Sequence, residues 1–133
     1  MPMMSLKRAV FPVLLATVWI SISEFVRNSF LVHDAWLSHY QNLGLTFPEQ
    51  PVNGAVWGIW SLVFAIIIFM LHQKFTFWQT VLLSWIIGFA MMWLVIGNLG
   101  VLPIDILPYA IPLSILEVLV AVLIINKLSP AEH

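Results

Sequence analysis

Residues 9–31 run apolar for long enough to cross a bilayer, yet Glu24 and Arg27 interrupt them. A hydrocarbon core about 30 Å thick takes roughly 20 helical residues to cross. Inside it, every backbone N–H and C=O has to be paired within the protein. A long apolar run therefore reads as a transmembrane helix. Three more follow, at about 53–73, 77–97 and 108–127. Together they predict an all-α integral membrane protein whose residues 1–133 form a single domain. It comprises four transmembrane helices in an up-down bundle, with a short interfacial helix in the first external loop, 32–52. Composition agrees with this class. Apolar residues make up 62 % of the chain and charged residues 8 %, against about 25 % charged in a soluble domain. So few charges cannot cover a water-facing surface.

The same composition excludes several chemistries. A formal charge of −1 supplies no basic patch for phosphates, so nucleic acid is not an expected partner. The absence of cysteine removes disulfides, thiolate metal sites and cysteine nucleophiles. His33, Asp34 and His39 match no zinc-binding spacing, and no cofactor or phosphate-binding motif occurs, so neither metal nor cofactor is expected.

A charge at the bilayer centre costs about 2.5–3.5 kcal/mol on insertion scales, so such residues turn inward and find partners. Glu24 and Arg27 are three apart and touch if the run is helical. Thr17, Ser21, Glu24 and Asn28 recur at +4, +3 and +4 and share one helix face, which should look toward other helices. At 1.5 Å per residue, Glu24 lies roughly 24 Å along the first span from Arg8, in the outer half of the membrane. Asn53, Trp57, Trp60, Trp93 and Asn98 belong at similar depth. Ser114 and Glu117 approach it from the last span if that helix starts at Pro112. An outward-facing pocket built from Glu24, Arg27, Asn28, Asn53, Trp57, Trp60, Trp93, Asn98, Ser114 and Glu117 is the expected site. Two acids and one base do not cancel, so a proton on one acid, a cation or water completes it.

Other local signals position the spans. Pro12 is expected in the first turn or so of span one, where a missing N–H matters least. Asp34 is expected to cap a short surface helix with Trp36 and Tyr40 on one side, and Gly44 to stop it. On span two, Gly54, Gly58, Ser61 and Ala65 form a small-residue strip suited to a homodimer or a membrane partner. Thr76 and Gln79 form a capping box for span three. Prolines 103, 108 and 112 leave two starts for span four: near Asp105 with a kink, or at Pro112.

Lys7, Arg8, Lys74 and Lys127 fall on one side of a four-span drawing, and the two loops opposite contain no Lys or Arg. The positive-inside rule then puts both termini in the cytoplasm, and the architecture suggests a bacterial inner membrane. Three functions remain open: a transporter-like protein handling a small solute, ion or proton; a non-catalytic accessory subunit whose buried charges fix helix register; and an enzyme acting on lipid or quinone through His33, Asp34, His39 and Asp105.

Overall fold

The computed structural model describes residues 4–130; positions 1–3 and 131–133, the ends of the expected domain, lie outside the described residues. Helix α1, Met4–Val26, continues as a π-helical segment, Arg27–Leu31. Helix α2 is His33–Asn42 and α3 is Pro51–His72. Helix α4, Phe77–Trp85, passes through a second π-helical segment, Ile86–Ala90, into α5, Met91–Asn98. A 3-10 turn at Ile104–Ile106 leads into α6, Leu107–Leu128. Four of these rods are long and apolar enough to cross a membrane: Arg8–Leu31, Pro51–His72, Phe77–Asn98 and Ile104–Leu128. The protein is an all-α, multi-pass membrane bundle, with no strand among the described residues.

The bundle buries a set of polar side chains within an apolar core and turns large apolar side chains outward. Helix α1 packs against α3 and α6, and α4 packs against α3 and α6. Ala16, Ile20, Phe64, Ile68, Phe89, Val118, Val122 and Ile125 form the shared core. Ser61, Thr80, Ser84, Ser114 and Glu117 are fully buried beside them, while Phe11, Trp78 and Leu94 are 62 %, 70 % and 76 % exposed. Large apolar side chains pointing outward suit acyl chains, and polar ones pointing inward hold helix to helix.

One proline position differs from expectation, and the start of span four falls on one of its two expected places. Helix α1 starts at Met4, so Pro12 sits in its interior and the Arg8 carbonyl loses its intrahelical donor. Span four begins next to Asp105, with Pro108 in the first turn of α6 and Pro112 inside a continuous helix. At the start of α6 the lost N–H would have had no partner in any case, so Pro108 opens the helix.

The surface helix forms, but Val32 is its N-cap, and Asp34 lies in the first turn without capping it. There its carboxylate still favours the positive end of the helix dipole. Gly44, at φ 75°, ends α2 in a Schellman turn: Leu45 N–H donates to the Tyr40 carbonyl at 2.9 Å and Gly44 N–H to that of Gln41 at 3.0 Å. Gly100, at φ 78°, ends α5 the same way. Phe47 then stacks on Trp36 (centroids 5.6 Å) and meets Tyr40 edge-on (5.1 Å), folding the loop back over α2.

The capping box is present. Gln79 N–H donates to Thr76 Oγ1 at 3.3 Å, and Thr76 N–H to Gln79 Oε1 at 3.0 Å. Thr76→Ala should cost about 1 kcal/mol, read as a lower unfolding midpoint by circular dichroism in detergent.

Candidate functional site

The site starts where α1 widens. Val32 N–H bonds to the Arg27 carbonyl five residues back, at 2.9 Å. A π-helical turn holds an extra residue and re-aims the side chains around it. Arg27 and Asn28, neighbours in sequence, both end up buried beside Glu24. Arg27 Nη2 donates to Glu24 Oε2 at 2.6 Å, and Nη1 to Glu117 Oε1 at 3.4 Å. The guanidinium carbon lies 5.3 Å from the centre of the Phe89 ring, and Phe89 belongs to the other π-helical segment. Each widened segment thus supplies one partner of a cation–π contact.

Hydrogen bonds extend this network in two directions. Asn28 Nδ2 donates to Glu24 Oε2 at 3.0 Å and to the Glu24 carbonyl at 3.1 Å, while Asn28 Oδ1 accepts from Trp36 Nε1 at 3.1 Å. The surface helix is thereby tied to the buried charges. On α6, Trp19 Nε1 donates to the Glu117 backbone carbonyl at 2.8 Å, and Trp85 Nε1 donates to Ser114 Oγ at 2.9 Å. Indoles from α1 and α4 therefore fix the turn that carries Glu117. Two carboxyl oxygens, Glu24 Oε1 and Glu117 Oε2, are buried with no hydrogen-bond partner among the described residues.

Beside this network lies a cavity of about 690 Å³ between α1 and α3. Ser21, Glu24 and Asn28 line one wall, Gly54, Trp57 and Gly58 the other, and the loop from Phe47 to Pro51 forms its rim. The small-residue strip is split. Ser61 and Ala65 are fully buried in the bundle, whereas a Cβ built on Gly54 or Gly58 meets nothing within 4 Å. The two glycines open space instead of drawing a helix of this chain close. At the rim, His33 Nε2 bonds to Glu49 Oε1 and holds the loop to the start of α2.

Glu24, Arg27, Asn28 and Glu117 come together as one network, and Ser114 lies one turn from Glu117 on the same helix. Asn53 lines the cavity and accepts from Gln50 N–H at 3.0 Å, fastening the start of α3. Trp57 lines the cavity, half-exposed. Trp60 turns the other way, onto Phe64 and Phe89. Trp93 packs on Trp85 and Phe89, behind the guanidinium. Asn98 is exposed at the end of α5 and does not join the network. Asp34, His39 and Asp105 line a separate cleft of about 460 Å³ under α2, where His39 Nε2 donates to the Gly100 carbonyl at 2.7 Å.

Sequence reasoning missed Phe89, Trp19, Trp85 and the role of Trp36. A buried indole N–H needs an acceptor, which was a signal for the tryptophans. Nothing in the sequence pointed to Phe89. Chemically, the arrangement sets a buried carboxyl group in the wall of a cavity flanked by aromatic rings. No family model, curated protein or solved structure matches the chain, so what it binds has to be read from these side chains.

Proposed function

We propose that the protein is a transporter-like membrane protein that binds a small solute, ion or proton in the cavity between α1 and α3. One observation carries this reading: Glu24 is 4 % exposed, lines the cavity, and has one oxygen engaged by Arg27 and Asn28 and the other unpartnered. A buried acceptor without a donor costs about 1–3 kcal/mol, more when charged, and a bound donor or cation offsets that cost. Glu24, Asn28, Asn53 and Trp57 would contact the solute. Arg27, Ser114, Glu117, Trp60 and Trp93 would position Glu24 from behind. Asn98 has no role in this site. With Gly54 and Gly58 opening the cavity, this half of the strip would serve the solute. The lysine and arginine pattern supports cytoplasmic termini and a cavity opening on the outer face of a bacterial inner membrane.

The native chain has no cysteine, so single substitutions report cleanly. Gly58→Cys should react with a membrane-impermeant maleimide added outside the cell. Val63→Cys, at a lipid-facing position 49 % exposed, should not. Failure of Gly58→Cys to react from the outer side would overturn the proposal.

The accessory-subunit reading also has an observation in its favour: Arg27 joins α1 to α6 through two carboxyls. If the network is only a clip, Glu24→Gln, Arg27→Ala and Glu117→Gln should all impair folding alike. If it serves a solute, Glu24→Gln should fold and alter binding.

A further inference from the structure

We infer that Glu24 and Glu117 hold one proton between them at neutral pH, with Arg27 balancing the charge that remains. Of the solute, ion or proton in the binding reading on which this rests, the buried carboxyls take the proton. Each carboxyl gives one oxygen to Arg27, Glu24 Oε2 at 2.6 Å and Glu117 Oε1 at 3.4 Å. Each keeps its other oxygen buried without a hydrogen-bond partner among the described residues. The two carboxyls also lie within hydrogen-bonding reach of each other. An ionised carboxyl only accepts, so a pair of them has no bond to make. One proton turns the contact into a donor and an acceptor, which is what the orphaned oxygens lack.

Charge gives the same count. Two carboxylates against one guanidinium leave a net negative charge in the bundle interior, where an uncompensated charge is strongly unfavourable. Two carboxylates in contact also resist ionising together. One proton brings the group to neutrality. Among the described residues no other side chain supplies the missing charge. Span three, Phe77–Asn98, has no titratable residue, and α3 has His72 alone, at its far end. On α6, Lys127 lies roughly 15 Å along the helix from Glu117, and Tyr109 is exposed. Lys7 and Arg8 belong to the start of α1, away from Glu24. On α2, His33 is held by Glu49 at the cavity rim, Asp34 and His39 line the separate cleft, and Tyr40 lies against Phe47. The Ser23 hydroxyl, beside Glu117, can donate a hydrogen bond but brings no charge. The proton therefore belongs to the pair and not to either residue. Because Glu24 also lines the cavity, this proton decides whether that wall is neutral or negative.

Infrared spectroscopy of the full chain in lipid nanodiscs reads the proton directly, because a protonated carboxyl and a carboxylate absorb in separate bands. At neutral pH the wild type should show a protonated-carboxyl band that moves when glutamate is labelled with heavy carbon at its side-chain carboxyl. Glu24→Gln and Glu117→Gln should each abolish the band, since either leaves a single carboxylate paired with Arg27. A second protein, Glu49→Gln with Glu132→Gln, keeps Glu24 and Glu117 as its only glutamates. It should retain the whole band, and it reports on the pair even if the other variants fail to fold. No labelled band at neutral pH, the result if a cation or a water takes the proton's place, would overturn the inference. A band that survives Glu24→Gln or Glu117→Gln would overturn the sharing, because the proton would then be held without the pair. The Gly58→Cys labelling separates this from the cavity. A band with an unreactive Gly58→Cys keeps the proton and overturns the cavity; a reactive Gly58→Cys without the band keeps the cavity and overturns the proton.

Discussion

Arg27→Ala should lower stability by about 3–5 kcal/mol, the cost typical of removing one partner from a buried charge group. Arg27 is 5 % exposed, and its guanidinium contacts Glu24, Glu117 and the face of Phe89. Without it two carboxyls remain in the bundle interior with no base, and α1 keeps the Trp19 hydrogen bond to α6 but loses its charged tie. Lysine should recover only part of the loss. A single ammonium carries the charge but lacks the planar fork that meets two carboxyls at once while lying over a ring. The combination Glu24→Gln, Arg27→Ala, Glu117→Gln should be more stable than Arg27→Ala alone, because it removes the charges that the single substitution strands. Reversible unfolding in mixed micelles, followed by circular dichroism, measures all three. An Arg27→Ala protein within about 0.5 kcal/mol of the wild type, the usual range of a surface substitution, would show that the network contributes little to the fold.

Gly88→Ala should be destabilising by about 1–3 kcal/mol, as overpacking of a tight core usually is, although alanine is the better helix former by about 1 kcal/mol. Sterics decide the sign. A Cβ on Gly88 would sit 2.5 and 2.7 Å from Phe64 ring carbons. Phe64 has little room to retreat: it is 3 % exposed, with Trp60 at 5.0 Å and Phe89 at 5.8 Å between ring centroids. The substitution should also disturb the charge site, because Phe89 is the next residue and lies under Arg27. Phe64→Leu should rescue Gly88→Ala, and the double-mutant cycle should show coupling of at least about 0.5 kcal/mol. Gly54→Ala is the control: its Cβ meets nothing within 4 Å, so it should be neutral or stabilising. Equal effects at the two glycines would mean that Phe64 does not press on span three.

The contrast between these glycines shows what a sequence carries and what it does not. Gly54 and Gly58 have the spacing of a helix-contact motif, yet they face a cavity. Gly88 belongs to no motif, yet a neighbouring ring occupies the space of its missing side chain. Spacing tells which residues share a face of one helix. It does not tell how far away the next helix lies.

The sequence by itself determined the four spans, the Thr76 cap, the glycine stop at Gly44, and the contact between Glu24 and Arg27. Each depends on hydrophobicity or hydrogen bonds within a few residues of chain. Tertiary structure brought Glu117, expected at similar depth, onto Arg27, and alone decided that Phe89 lies beneath the guanidinium and that Gly54 and Gly58 border open space. Those outcomes depend on the rotation of whole helices about their axes. Two π-helical segments lie where Arg27 and Phe89 meet, and the contact across them joins residues far apart in the chain, beyond the reach of any local pattern.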